Sequence, residues 1–295
     1  MRVGITGASG FIGREVARAL RERGDVVVPF VRGARQDGAV RWTPNDRVHD
    51  EDLREPLDAL IHLAGAGIAD KRWSAARKQE ILSSRRDGTA TIASFVNSAS
   101  TPPRIVLSGS AIGIYGTRGD ETLTETSPHG SGFLAEVCEE WETPALGITR
   151  PDTRVSVLRT GIVMSPQGGA LKKQLPLFKA GLGGRLGSGK QWMSPISLED
   201  QVRAMLFVLD NDVTGPVNLV APEPVTNAGF TSALAKALHR PALAPVPPVA
   251  LSIALGSELV HEALLASQRV VPSVLEEHGF EFAHRNIEQI FEGIL

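Results

Sequence analysis

The chain has 295 residues, with 31 Lys and Arg against 33 Asp and Glu, a formal net charge of −2, and a sequence pI near 6.4. That length is ample for a buried core in one large or two medium domains, and the near-neutral balance excludes a dedicated binder of nucleic acid or anionic membrane, which carries a basic surplus. The single cysteine, Cys138, excludes an intramolecular disulfide framework and a cysteine-cluster metal site. MRVGITGASG runs straight into a strand and turn without a charged-then-apolar leader, and no apolar run reaches the ~18 residues that span a bilayer. A soluble, cytoplasmic protein, monomeric or homodimeric, is the expectation.

In chain order, apolar periodicity predicts a strand at Arg2–Thr6, a helix over residues 10–23 and a β-branched strand at Val26–Val31. A strand at 59–64 (ALIHLA), a long helix at 74–99, a strand at 104–108 (RIVLS), a helix at 132–142 and a strand at 154–158 follow. Strands separated by helix-length segments imply parallel β-α-β units with right-handed crossovers, hence an α/β, Rossmann-like doubly wound sheet covered on both faces. Residues 161–189 are glycine-rich and read as too loose for a helix. A short helix at 198–209 and a strand at 216–220 then return to the sheet. Beyond residue 221, prolines punctuate short helices, which predicts a smaller, mostly helical region over the sheet's carboxyl edge. The division expected is 1–221 for the sheet domain, with a glycine-rich loop at about 164–197 on the substrate side, and 222–295 for the helical domain.

Thr6-Gly7-Ala8-Ser9-Gly10-Phe11-Ile12-Gly13 leaves the first strand and enters the first helix, the context a dinucleotide site requires. Gly7 permits the tight turn, Gly10 lets backbone approach a pyrophosphate, and Gly13 lets helix and strand pack closely. The helix N-terminus then offers N–H groups and a positive dipole end to phosphate. At the tip of the second strand, where a carboxylate would bond the ribose 2′-hydroxyl of NAD, the sequence is Phe30-Val31-Arg32-Gly33-Ala34-Arg35. Arg32 and Arg35 either grip a 2′-phosphate or are solvated loop arginines; the missing carboxylate favours NADP(H).

TGASGFIG, HLAGAG (62–67) and SGSAIGIYG (108–116) resemble an extended short-chain dehydrogenase/reductase of the epimerase/dehydratase branch. SSRRDGT (83–89), FLAEVCEEWE (133–142), RTGIVMSPQGGAL (159–171), GLGGRLGSGKQWMSPI (181–196) and GPVNLVAPEPVTN (215–227) are similar to an epimerase-like group within it, whose C-terminal domain is matched by LLASQRVVPSVLEEHGFEF (264–282). The resemblance implies NADP(H) as cofactor. It carries the phosphate turn to Gly7, Ser9, Gly10, Phe11 and Ile12, the 2′-phosphate contact to Arg32, and the ribose side to Leu63, Ala64 and Gly65. Arg85 takes the place of an asparagine common in extended members, while Arg159 and Thr160 end the strand leading to the nicotinamide side.

The same resemblance implies a Tyr-x-x-x-Lys pair, in which Tyr moves a proton and Lys lowers its pKa and holds the ribose. Aligning Glu142 with the family's glutamate puts Leu134 and Cys138 at those places; a shift by one gives Phe133 and Val137. Neither register supplies a titratable pair. Tyr115, the only tyrosine, and Ser110 are the candidate catalytic residues, with a buried capping role open for the tyrosine; a serine orients a carbonyl but is a poor proton source. Cys138 reads first as a small core residue, His62 as a satisfied core histidine, and Glu139, Glu140 and Glu142 as a solvated helix face. Lys71-Arg72-Trp73 and Lys190-Gln191-Trp192 either frame an anionic or planar substrate or are solvated charges beside packing indoles. GLGGRLGSG lacks the Lys-Ser/Thr ending of a P-loop and reads as a flexible lid. Two readings follow: an NADP(H)-dependent oxidoreductase or epimerase-like enzyme acting on a small molecule with altered acid–base residues, or a non-catalytic NADP(H)-binding sensor or scaffold.

Overall fold

Short apolar runs become parallel strands here because helices cover both of their faces. The computed structural model describes residues 1–34, 36–242 and 245–295. Strands β1 (Arg2–Thr6), β2 (Val26–Val31), β3 (Val40–Arg41), β4 (Ala59–His62), β5 (Ile105–Ala111), β6 (Arg154–Thr160) and β7 (Gly215–Leu219) form one seven-stranded sheet. Its order is β7-β6-β5-β4-β1-β2-β3, and every neighbouring pair is parallel. This is the doubly wound sheet expected from the alternating pattern, with a two-residue strand, β3, too short to register in it.

Helix α1 (Phe11–Glu22) buries Gly13, Val16, Ala17 and Leu20, a single stripe at helical spacing, against one face of the sheet. Val3, Ile5, Ala59, Ile61, Leu107 and Leu158 meet it there, together with Met205 and Val208 of α5 (Leu198–Asp210). On the other face, α2 (Ala75–Ser98) sets Ile92 and Val96 against Val28, Leu60 and Val106. Helix α3 (Phe133–Leu146) lies beside α2 and against β5 and β6. Each fully buried Leu, Ile or Val contributes about 1.5–3 kcal/mol, and strands β1 and β4, buried on both faces, hold a helical layer on each side.

The glycine-rich stretch departs from expectation. Residues 169–179 form a helix, α4 (Gly169–Lys179), and Ile162–Met164 is a short strand paired with Pro195–Ser197. Leu171, Leu175 and Phe178 repeat at i, i+4 and i+7 and are buried against Phe230 and Leu234 of α6 (Asn227–Ala237) and against Ile287, Ile290 and Phe291 of the helix Ile287–Ile294. Tertiary burial of that stripe outweighs the local preference of the flanking glycines. The rest of the C-terminal region is short helices, Pro248–Leu255 and Ser273–Glu277 among them, with a π-helical turn at Val260–Leu264.

Candidate cofactor crevice and active site

The chain runs outward from β1 to β3 and returns on the other side at β4, so the strand order reverses between β1 and β4 and a crevice opens beyond their carboxyl ends. Gly7 stands at φ +70°, the left-handed region, and its carbonyl accepts the Gly10 N–H at 2.9 Å. A Cβ at Gly7 would press to 3.0 Å on the Leu63 backbone, and one at Gly13 would collide with the Gly7 carbonyl oxygen. Gly10 caps α1 without a side-chain acceptor, leaving the first-turn N–H groups directed out of the turn. Thr6 ties the strand ends together: its hydroxyl oxygen accepts the N–H of Leu63 at 3.1 Å and of Ala64 at 3.2 Å.

Ser9 and Gly10 are exposed at the turn, and Ile12 and Leu63 pack partly against the core below it. Phe11 also lies against Gly168 and Gly169, where a Cβ on Gly168 would collide with its ring. The turn is thereby coupled to the start of α4. Beyond β2, Arg32 is exposed and makes no hydrogen bond or ion pair among the described residues. Arg35 lies outside the described residues.

The segment after β4 is held from below by α2. The Ala66 N–H donates to Ser84 Oγ at 3.0 Å, Arg77 donates to the Gly67 carbonyl, and Arg85 Nη1 donates to the Ala66 carbonyl at 2.9 Å. Arg85 is buried, its guanidinium stacked 4.7 Å over Trp141 and 3.2 Å from where a Gly65 Cβ would lie. Burial lowers it to about 10. No carboxylate pairs with it among the described residues, and its buried Nε–H has no partner.

A buried polar network links β5, α3, β6 and β7. Arg159 forks onto Glu142, with Nε–Oε1 and Nη2–Oε2 both 2.9 Å, and donates from Nη1 to Tyr115 Oη at 3.0 Å. Ser110 Oγ donates to Glu142 Oε1 at 2.6 Å, and Tyr115 Oη donates to Asn218 Oδ1 at 2.7 Å. The Asn218 N–H donates to Glu125 Oε1 at 3.0 Å. Burial pulls the Arg159 guanidinium down, but its bonds to Glu142 and the nearby Tyr115 leave it raised. Burial likewise raises the Tyr115 phenol, only partly offset by Arg159, and raises Glu125. Thus both candidate donors, Ser110 and Tyr115, are fully buried with their protons committed inside the network. Thr160, just beyond, accepts from Gln201 at 3.3 Å.

Glu142 corrects a sequence expectation. It is 2% exposed rather than solvated, because it continues the inward stripe of Ala135, Cys138 and Trp141 while Glu139 points to water. His62 is only half satisfied: Nδ1 is bonded to Thr6, Nε2 has no partner among the described residues, and burial lowers it to about 3. Sequence reasoning also missed Glu125, Asn218 and Trp141, whose roles come from contacts far apart along the chain.

On α3, Leu134 is partly buried and Cys138 buried, both 3.4–3.5 Å from where a Gly113 Cβ would lie. Burial, then the Glu142 charge, pushes the Cys138 thiol up to about 12. Trp73 stacks edge-on to Phe133 with centroids 4.9 Å apart, and Trp192 donates to Asp120 at 2.8 Å, so both indoles have packing or bonding partners. A separate hollow of about 720 Å³, lined by Arg185, Thr231, Lys236, His239 and Arg240 among others, contains none of the expected cofactor residues. Among the described residues no helix is long and apolar enough to cross a membrane, and no cluster of three or more His, Cys, Asp or Glu could hold a metal ion.

Residues 3–221 match the model of the NAD dependent epimerase/dehydratase family, and residues 246–294 match a domain of unknown function, DUF1731. The chain is 42% identical over 287 residues to the epimerase family protein Mb2239 of Mycobacterium bovis, covering 97% of this chain and 94% of that one. It is 35% identical to the chloroplastic epimerase family protein SDR39U1 homolog of Arabidopsis thaliana, covering 100% of this chain and 87% of that one. The crystal structure of human epimerase family protein SDR39U1 (isoform 2) with NADPH superposes with a TM-score of 0.91 at 30% identity, covering 100% of this chain and 99% of that one. With the crevice, the glycine turn and these matches spanning nearly its whole length, the chain belongs to the NAD dependent epimerase/dehydratase family and carries the DUF1731 domain at its C-terminal end.

Proposed function

We propose that the chain binds NADP(H) at the β1–β4 crevice and acts on a small molecule as an oxidoreductase or epimerase-like enzyme. The observation that carries the reading is the glycine cradle, closed to any Cβ at Gly7 and Gly13, followed one strand later by the exposed Arg32, which has no partner among the described residues. The cradle suits a diphosphate, and Arg32 suits a 2′-phosphate, which needs a charge-assisted donor where NAD would need a carboxylate acceptor. Human SDR39U1, 30% identical over the full length, was crystallised with NADPH, which supports the same choice here.

When bound, the nicotinamide supplies hydride transfer; the chain's residues bind, orient and shield. In this reading Ser9, Gly10, Phe11 and Ile12 contact the phosphates, and Leu63, Ala64 and Gly65 flank the ribose. Aligned on Glu142, Leu134 and Cys138 take the places of the family's Tyr and Lys, and a shift by one gives those places to Phe133 and Val137; neither register supplies a titratable pair. Leu134 has no proton to give, and a thiol raised to about 12 is a poor donor and carries no positive charge. Tyr115 and Ser110 act as positioning residues, holding Arg159 and Glu142 at the ends of β5 and β6. Such a site favours an activated carbonyl or enone, whose reduction needs little general-acid help. Calorimetric titration with NADPH and NADH tests the reading: heat with NADPH is expected, and no heat with either dinucleotide overturns it.

The absence of a titratable pair in either register of α3 also favours a second reading, a protein that binds NADP(H) without turning it over. NADPH absorbance followed against panels of carbonyls and enones separates the two: consumption identifies an enzyme, and tight binding without consumption identifies a sensor or scaffold.

A further inference from the structure

Two long stretches of the chain, residues 153–198 and 224–257, contain no Asp or Glu, although the chain as a whole has 33. The fold brings the two together at the hollow of about 720 Å³. Arg185 lines it from the glycine-rich loop, Lys236 from the last turn of α6, and His239 and Arg240 from the turn just beyond. All four are exposed, and among the described residues none of them makes an ion pair. Elsewhere on the surface cations are matched: Arg18, for one, bonds both Glu15 and Glu22. The Arg240 Nε–H donates to the Lys179 carbonyl at 3.1 Å, which holds the guanidinium while its Nη groups make no bond among the described residues.

A helix C-terminus is the negative end of the helix dipole and would by itself repel an anion. At α6 those carbonyls are covered. The His239 N–H donates to the Lys236 carbonyl at 3.1 Å, and the Arg240 N–H to the Ala235 carbonyl at 3.0 Å. This paired closure usually has glycine at its left-handed position, yet His239 occupies it, at φ +52°. Glycine would adopt that backbone without steric cost; histidine adds an imidazole to the wall of the hollow. No Phe, Tyr or Trp lines the hollow among the described residues, so nothing there stacks a base, whereas Thr231 and Ser232 add hydroxyl groups. Small-molecule sites span about 300–1,000 Å³, and this one falls within that range.

We infer that the hollow binds a small anion bearing two or more phosphoryl groups, with Arg185 on one side and Lys236, His239 and Arg240 on the other. A guanidinium meets phosphoryl oxygens as a planar fork and an ammonium meets them as a point charge. The site is separate from the NADP(H) crevice, none of whose residues lines it. Its occupant bridges the glycine-rich loop to α6, because the cations come from both.

Inorganic triphosphate and a hexose bisphosphate are the probes, each titrated calorimetrically into the full chain with excess NADPH present. Salt at about 0.15 M screens attraction to exposed charges farther than ~8 Å away. One probe molecule per chain is expected; triphosphate binding alone points to an inorganic oligophosphate, and bisphosphate binding to a phosphate ester. Lys236→Gln with Arg240→Gln, and separately Arg185→Gln, are each expected to weaken the probe roughly 10-fold or more, as for lost charge-assisted hydrogen bonds. NADPH affinity and thermal midpoint should stay at wild-type values in both. Arg21→Gln with Lys172→Gln removes two charges from exposed residues outside the hollow and is expected to leave probe binding unchanged. Wild type that binds neither probe, hollow variants that bind like wild type, or a control pair that loses as much overturns the inference. A chain that binds triphosphate through these cations but shows no heat with NADPH overturns the crevice reading alone.

Discussion

The Thr6 hydroxyl donates to His62 Nδ1 at 2.8 Å, and the direction of that bond is fixed by counting. Two backbone N–H groups, of Leu63 and Ala64, already donate to the same oxygen, so its one hydrogen points to the ring and Nδ1 must be an unprotonated acceptor. His62 is therefore the neutral Nε2–H tautomer, in keeping with a buried ring lowered to about 3. The carboxyl ends of β1 and β4, which frame the crevice, are joined through an imidazole that cannot charge without breaking the joint.

A pH dependence follows. The unfolded chain takes up a proton on His62 near pH 6.5 and the folded chain only near pH 3. Between those values the unfolded state binds more protons, so stability rises with pH through the window and falls on acidification, by up to about 1.4 kcal/mol per pH unit from this group. Above the window the contribution is constant. Urea unfolding of wild type and His62→Gln across the window checks it: the variant, which keeps an acceptor for Thr6, is expected to show the shallower slope. Parallel slopes would mean that His62 does not carry the effect.

The Arg159–Glu142 fork is buried on both sides, with side chains 3% exposed. Glu142→Gln leaves Arg159 without its counter-charge, and a loss of about 3–5 kcal/mol is expected. Replacing both partners by apolar residues of similar volume is expected to cost less than the sum of the single changes. A double-mutant cycle by chemical denaturation measures the coupling, and additive single effects would contradict it.

Tyr115→Phe removes a bond donated to Asn218 and another accepted from Arg159. A stability loss of about 1–3 kcal/mol is expected, from groups left unpaired in the interior. Once a substrate is in hand, turnover by the folded variant is expected to stay within the range set by that loss. Selective loss of turnover in a fully folded variant would identify Tyr115 as the proton donor instead.

Gly13→Ala sets a methyl group into the Gly7 carbonyl oxygen. Expected are a loss of about 1–3 kcal/mol from overpacking and weakened NADPH binding, because the turn must open to admit it. Gly24→Ala offers a control: that glycine, at φ +88°, meets nothing within 4 Å, so its strain is local and NADPH affinity should not change.

The sheet and the glycine turn were legible because their signals are local. β-branched runs mark β1, β2, β5 and β6, and the spacing of Gly7, Gly10 and Gly13 matters within eight residues of chain. Helix α4 was hidden by Gly168 and Gly169, although Leu171, Leu175 and Phe178 already carried its stripe. Glu142 looked like one of three solvated acids; its partner Arg159 is a strand away, and only the fold brings them together. The same holds for Tyr115 and Asn218, whose bond spans 103 positions. Arg85 was legible as an unusual residue at its place, but its missing counter-charge is a property of three-dimensional burial.

In the proposed function, the glycine turn and Arg32 together select NADP(H). Dissociation constants for NADPH and NADH, measured by titration calorimetry on wild type and Arg32→Glu, test it most directly. Wild type is expected to prefer NADPH, and Arg32→Glu to lose about 2–4 kcal/mol toward NADPH with little loss toward NADH, since the new carboxylate repels a 2′-phosphate and accepts from a 2′-hydroxyl. Equal weakening of both dinucleotides, or none of either, would contradict it.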